Sequence, residues 1–162
     1  MLNGKIYLYS EMEDPDFIIR VYGIYIDPVK GLLVSDERIK GKNYTKFPGG
    51  GMEYGEGTID CLKRELVEET GDYFEVVEHF YTTDYFVESA FHIKRQVISI
   101  YYWVKPLGEL NMRLGVKPFD FQQSDGDTES FRFIPLDQIN PDDFELSIDH
   151  HVVMLLLNKI GP

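Results

Sequence analysis

Apolar and β-branched residues come in short, separated runs along this chain. The first, FIIRVYGIYID at residues 17–27, predicts a strand. The turn residues of DPVKG follow, and GLLVSDER returns as a second strand, so the two together predict a β-hairpin. YTKF is a further short strand, followed by a glycine-rich loop through GGGMEYGEG. From Thr58 the period changes. Ile59, Leu62 and Leu66 share one stripe at helical spacing, which predicts a helix closed by Gly71 as its C′ residue. Residues 73–87 are rich in β-formers and predict a bent strand. QVISIYYWV, at 96–104, is apolar almost throughout and predicts a strand central in the sheet, ended by Pro106. Residues 108–128 are polar and aperiodic, with Gly115, Pro118 and Gly126, and exceed ordinary loop lengths, which marks them as functional or mobile. SFRFIPL predicts another strand, and Leu136 to Asn140 a short helical turn. SIDHHVVMLLLNK predicts a closing amphipathic helix, with Ser147 as N-cap and Asp149 in its first turn. Strands around one helix, with a second helix at the end, predict an α/β layer fold.

The helix ahead of Gly71 carries the chemistry. Glu65, Glu68 and Glu69 stand three and four residues apart, so their carboxylates fall within one arc beside the apolar stripe. Like charges at this spacing repel by a few tenths of a kcal/mol, and the C-terminal end of a helix prefers cations. A bound metal cation is the simplest physical reason to gather them there. Hard oxygen donors suit Mg²⁺ or Mn²⁺, and two such ions can bridge a diphosphate, polarise its oxygens and activate a water.

Composition narrows the partners. The chain has 162 residues, enough for one domain with a sizeable core, and residues 1–162 are expected to form a single domain. A net charge of −12 argues against long nucleic acid, which needs clustered Lys and Arg. It fits a small phosphorylated ligand bridged by divalent cations. No apolar run approaches the length of a membrane span, and the N-terminus has no apolar secretory segment. Cys61, the only cysteine, excludes an internal disulfide and is expected to be a small buried hydrophobe; a cytoplasmic setting follows as the default.

Residues 50–71, GGMEYGEGTIDCLKRELVEETG, resemble the Nudix box, G-x5-E-x7-R-E-U-x-E-E-x-G-U with U a bulky aliphatic residue. Gly50, Glu56, Arg64-Glu65-Leu66, Glu68-Glu69 and Gly71 match in one register. Asp72 departs, standing where an apolar residue is expected; Tyr73 or Phe74 is the candidate to supply the missing contact. The resemblance implies a Nudix-type α/β/α sandwich with a mixed β-sheet between helices, and a Mg²⁺- or Mn²⁺-dependent pyrophosphohydrolase. Its substrate would be a nucleoside diphosphate linked to another group, such as a nucleoside triphosphate or a nucleotide sugar of the ADP-ribose type. An inactive domain that senses such a ligand is the alternative. Many relatives dimerise, so the resemblance admits a homodimer.

The resemblance also assigns roles. Glu65, Glu68 and Glu69 would be metal ligands, with the Gly49 carbonyl added and Glu65 a candidate to activate the water. Arg64 would organise the glutamates; Glu56 lies near the helix start, where a carboxylate is favourable, and is read first as structural, with direct metal binding as the alternative. A further acid before a late strand often completes the site; Glu129 occupies that setting, with Asp125 and Asp127 as competitors and Glu88 as a more remote choice. Arg20 and Lys46 are candidates to meet a terminal phosphate. Tyr81, Tyr85, Phe86 and Phe91 could stack on a base, although core packing explains each of them as well.

Overall fold

A computed structural model describes residues 16–161, apart from 93 and 124. The elements run β1 (Asp16–Ile24), β2 (Ile26–Asp27), β3 (Gly31–Ile39), β4 (Lys42–Lys46), β5 (Gly49–Gly51), α1 (Thr58–Thr70), β6 (Phe74–Thr82), β7 (Arg95–Pro106), β8 (Thr128–Ile134) and α2 (Ser147–Ile160), with two short 3₁₀ turns before α2.

The strands form two sheets. One has the order β5-β1-β7-β6 and is mixed, because β1 runs parallel to β7 and antiparallel to β5. The other joins β2, β3 and β4, with β8 antiparallel to β3 on its far side. The expected hairpin of residues 17–27 with the strand after Gly31 is therefore mostly absent. Only Ile26–Asp27 pairs with Gly31 and Leu32, while Asp16–Ile24 belongs to the other sheet. The chain changes sheets at Tyr25, whose carbonyl still accepts the Leu33 N–H at 2.9 Å. An alternating apolar run looks the same whichever neighbour it pairs with, so its pattern could not reveal the switch.

The two helices pack on different sets of side chains. Leu62, Leu66 and Cys61 of α1 join Val21, Leu33, Phe74, Val104 and Phe131. Val152, Val153 and Leu156 of α2 join Tyr22, Ile24, Leu32, Val34, Phe47 and Tyr101. Neighbours in sequence divide between these clusters (Val21 and Tyr22; Leu32, Leu33 and Val34), as successive strand side chains must. The result is a mixed α/β arrangement with a helix on either side of the strands. Fully burying side chains such as Leu62 and Leu66 stabilises α1's docking by about 1.5–3 kcal/mol each.

Local departures have simple causes. Ile59 is exposed, and Cys61 takes the buried place beside Leu62. GGG at 49–51 is a short strand rather than loop. β6 ends at Thr82, short of residue 87, and is bent by register shifts between Val76 and Glu78 and between His79 and Tyr81. β7 lies inside its sheet, as its apolar run implied. Ser147 is the first residue of α2; Leu146 holds the N-cap position, without a side-chain cap. The described residues of 108–127 contain no helix or strand, yet Leu110, Met112 and Leu114 pack on the α1-side core. Asp72 explains part of that order. Its buried carboxylate accepts the Asn111 N–H at 2.9 Å, the Met112 N–H at 3.0 Å and the Asn111 Nδ2–H at 3.1 Å. Phe74, not the exposed Tyr73, fills the apolar place beyond the turn.

Candidate active site

Helix α1 is fixed at its C-terminal end and along the face that meets β5. Gly71 adopts φ 75° and donates its N–H to the Val67 carbonyl, a left-handed closure that favours glycine. Midway along the helix, β5 passes so close to a side chain that a Cβ on Gly50 would fall 2.3 Å from a Glu65 carboxylate oxygen. Gly50 therefore lets the carboxylate lie directly on the strand.

Arg64 ties this corner together. Nε and Nη2 donate to the two oxygens of Glu56 at 3.0 and 2.6 Å, and Nη2 also donates to the Gly51 carbonyl at 3.0 Å. Nη1 reaches Glu65 at 2.9 Å and Glu68 at 3.2 Å. The fork connects helix, strand and loop, and it holds Glu56 well below the usual carboxylate range. Glu68 points outward, 58% exposed, whereas Glu69 turns inward and accepts the Gly49 N–H at 3.0 Å.

Across the cleft from Glu69 stand β3 and β8. Glu37 is paired with Glu129 in that ladder, and one oxygen from each of Glu37, Glu69 and Glu129 lies within 4.8 Å of the others. Ser35, fully buried, donates its hydroxyl to Glu129 at 2.6 Å. Lys46 is buried too and donates to both Glu37 oxygens at 2.8 Å. Arg20, Glu65, Glu69 and Glu129 line one common cleft. Arg20 is oriented by the Tyr22 hydroxyl, which accepts from Nε.

Packing acids this way raises their proton affinity. Burial, with Glu129 and Glu37 beside it, raises Glu69 to about 9. Burial also raises Glu129 to about 7, against the opposing pull of the Ser35 hydroxyl. Among the described residues neither Glu69 nor Glu129 has an ion-pair partner. All the converging donors are hard carboxylate oxygens, so the cluster fits a divalent cation of the Mg²⁺ or Mn²⁺ type.

The structure thus brings Glu65, Glu69 and Glu129 to one cleft with Arg20, whereas Glu68 is not among the residues that line it and is largely exposed. Of the competing acids, Asp127 also lines the cleft, but its carboxylate accepts the Lys40 N–H at 2.8 Å. Glu88 lies elsewhere, bridged to Gln96. Phe91 packs edge-on to Tyr44, and Phe86 is exposed. Glu37 and Ser35 escaped the reading of the sequence. Their signal was the alternation Leu33, Ser35, Glu37, which carries polar groups onto the face that Leu33 buries against α1.

No helix among the described residues is long and apolar enough to cross a membrane. The sequence model of the NUDIX domain matches residues 18–155. No curated protein matches the chain. Solved structures resemble it at low identity. A MutT protein from Methanosarcina mazei Go1 is 14% identical, with 92% of this chain and 99% of that one covered and a TM-score of 0.68. A MutT NUDIX hydrolase from Burkholderia pseudomallei is 17% identical, covering 86% and 97%, with a TM-score of 0.62. A UDP-X diphosphatase is 16% identical, covering 94% of this chain and 67% of that one, with a TM-score of 0.55. With Gly50, Glu65 and Glu69 of the box lining one acidic cleft and the family match spanning nearly all of the described strands and helices, this chain belongs to the Nudix family.

Proposed function

We propose that this protein hydrolyses a phosphoanhydride bond in a nucleoside diphosphate linked to a further group, using Mg²⁺ or Mn²⁺. The convergence of Glu37, Glu69 and Glu129 beside Glu65 is the observation that carries this reading. Four carboxyl groups gathered at one cleft are costly without a cation to offset them. Glu65, Glu68 and Glu69, with the Gly49 carbonyl, are the residues assigned to hold the metal, and Glu37 and Glu129 complete the acidic wall. When bound, the cation would supply charge neutralisation for the diphosphate and lower the pKa of water.

The chain's own groups account for the rest. Arg64 keeps Glu65 in place through its fork to Glu56 and Gly51. Arg20 lines the same cleft and offers a permanent positive charge to a phosphate. Lys46 compensates Glu37. In the reaction, water oxygen bonds to phosphorus while the bridging P–O bond breaks and its electrons leave with the departing phosphate group. Glu129 is the acid we assign to accept the water proton, because it lies in the cleft beside Glu37 and Glu69 and, unlike Glu37, has no lysine paired with it among the described residues. Ser35 fixes its orientation. Glu65 is the second choice.

The test is a panel of nucleoside triphosphates, ADP-ribose and nucleotide sugars with Mg²⁺ or Mn²⁺, read by product mass and by phosphate release with and without added pyrophosphatase. Metal-dependent cleavage of a phosphoanhydride is expected. Binding of a nucleotide without any product, under either metal, would instead establish a sensor.

A further inference from the structure

Residues 38–52, RIKGKNYTKFPGGGM, hold four of the chain's 16 basic residues and no acid, in a protein with 28 acids and a net charge of −12. They carry the turn between β3 and β4. Ile39 pairs with Lys42, and Lys40 and Gly41 between them take φ 51° and 79°. Positive φ at both central residues is the tight turn whose twist matches that of the strands it joins. Gly41 adopts it freely. Lys40 does so against its own Cβ, a backbone cost that clusters at functional positions. The turn is also tied down from outside, because the Asp127 carboxylate accepts the Lys40 N–H at 2.8 Å. Arg38 and Ile39 line the acidic cleft with Asp127 and Thr128, so this hairpin tip forms part of the cleft's rim.

The register shows where the basic side chains go. Residues paired across a ladder share one face of the sheet, and alternate residues along a strand return to it. Glu129, Glu37 and Tyr44 therefore make one row, the row of the acidic cluster. Phe131, Ser35 and Lys46 make the row on its inner side, where Lys46 holds both Glu37 oxygens at 2.8 Å. Ile39 and Lys42 make the row on its outer side, roughly 7 Å further along the strands. Lys42 is exposed, as is Lys40 at the tip, and among the described residues neither has an ion-pair partner. Of the acids at the cleft, Asp127 is engaged by the hairpin's own N–H, and Glu37, Glu69 and Glu129 converge on one another. A lysine ammonium is a compact point charge suited to phosphate. These two stand one row beyond the acidic cluster, where a substrate chain continues after the two phosphates held by the cations. A sugar or alkyl group there would leave both lysines without a counter-charge, and a further phosphate supplies one.

Building on the hydrolase reading, we propose that Lys40 and Lys42 form a subsite for a third phosphate in line with the reacting two, so that the protein prefers polyphosphate chains, as in nucleoside triphosphates and dinucleoside polyphosphates, over diphosphates that end in a sugar.

The experiment compares kcat/KM for ATP, diadenosine tetraphosphate, ADP-ribose, coenzyme A and dephospho-coenzyme A with Mg²⁺, in the wild type and in the double variant Lys40→Gly, Lys42→Gln. Both positions are exposed, and glycine favours the φ that Lys40 holds, so the fold is retained. Calorimetric binding of inorganic tripolyphosphate and of pyrophosphate, each with Mg²⁺, runs alongside. Polyphosphate chains should be preferred over ADP-ribose, and the double variant should lower that ratio by about fivefold or more, chiefly through KM. Tripolyphosphate should bind more tightly than pyrophosphate, and both the double variant and added salt should erode the difference. Cleavage with the two inorganic ligands bound equally, or a double variant with an unchanged ratio, overturns the subsite and leaves the hydrolase reading intact. A preference for coenzyme A over dephospho-coenzyme A, without one for polyphosphate chains, places the extra charge elsewhere on the substrate and also overturns it. A calorimetric difference that the double variant abolishes, without cleavage of any substrate by the wild type, upholds the subsite and overturns the hydrolase reading alone.

Discussion

Glu37 and Glu129 face each other directly across the antiparallel ladder of β3 and β8, with Glu69 of α1 completing the cluster. Like charges directly opposite in a sheet destabilise it, and burial adds to the cost. The arrangement is accommodated by Lys46 on Glu37, by the Ser35 hydroxyl on Glu129, and by protonation of Glu69 and, in part, of Glu129.

Cation binding should therefore release protons. Glu69, at about 9, carries its proton at neutral pH, Glu129, at about 7, does so only in part, and a metal binds the ionised forms. Mn²⁺ titrations at pH 7 in buffers of different ionisation enthalpy should reveal net proton release, smaller at pH 9 than at pH 7. Identical heats in all buffers would sink this expectation.

Glu69→Gln should separate stability from function. It removes a buried acid from a crowded cluster, so the metal-free protein should melt at a higher temperature at pH 8 than the wild type. The same variant should lose most metal-dependent turnover. Glu68→Gln should change metal-free melting far less, because Glu68 is largely exposed. Melting curves with and without MgCl₂, together with turnover, read both effects.

Ser35→Ala should leave the fold intact while freeing Glu129. Loss of an outer partner of this kind typically costs roughly 10–100-fold in activity or metal affinity. The apparent pKa of Glu129 should also rise, since the Ser35 hydroxyl lowers it, and the acid limb of the pH–rate profile should move upward with it. A profile displaced downward, or not at all, contradicts the assignment of Glu129 as proton acceptor.

Asp149 should make the metal-free protein less stable as pH rises. Its folded-state value, about 6, lies above the ordinary 3.8, so the folded chain binds this proton more tightly than the unfolded chain does. The sign is therefore a loss of stability from about pH 4 through pH 6, on the order of 3 kcal/mol at most. Urea unfolding across that range should show the decline, and Asp149→Asn should make it shallower, leaving the part that Glu69 and Glu129 contribute.

Asp72→Leu, which restores the aliphatic type expected at that position of the box, should loosen residues 108–127. It removes the acceptor for two backbone N–H groups, those of Asn111 and Met112. Hydrogen bonds to a charged group contribute about 1.5–3 kcal/mol each, so hydrogen exchange at those two amides should accelerate well beyond that in β7.

What was legible in the chain itself was local. The helix of residues 58–70, its closure at Gly71, the interior strand around QVISIYYWV and the closing helix follow from periodicity and end signals, which act over a few residues. The box residues declared the family for the same reason: their spacing is a property of one continuous segment. Pairing was not legible. The exchange of sheets at Tyr25, the parallel match of β1 with β7 and the meeting of Glu37 with Glu129 join residues far apart in sequence, and they depend on which faces can be buried together. For the same reason Asp72 read as a defect until the fold brought Asn111 and Met112 to it, and Asp149 read as a helix-start acid until Tyr101 and β1 closed a cavity around it. Short-range rules decide elements; only the burial of distant side chains against one another decides neighbours, and here the neighbours make the site.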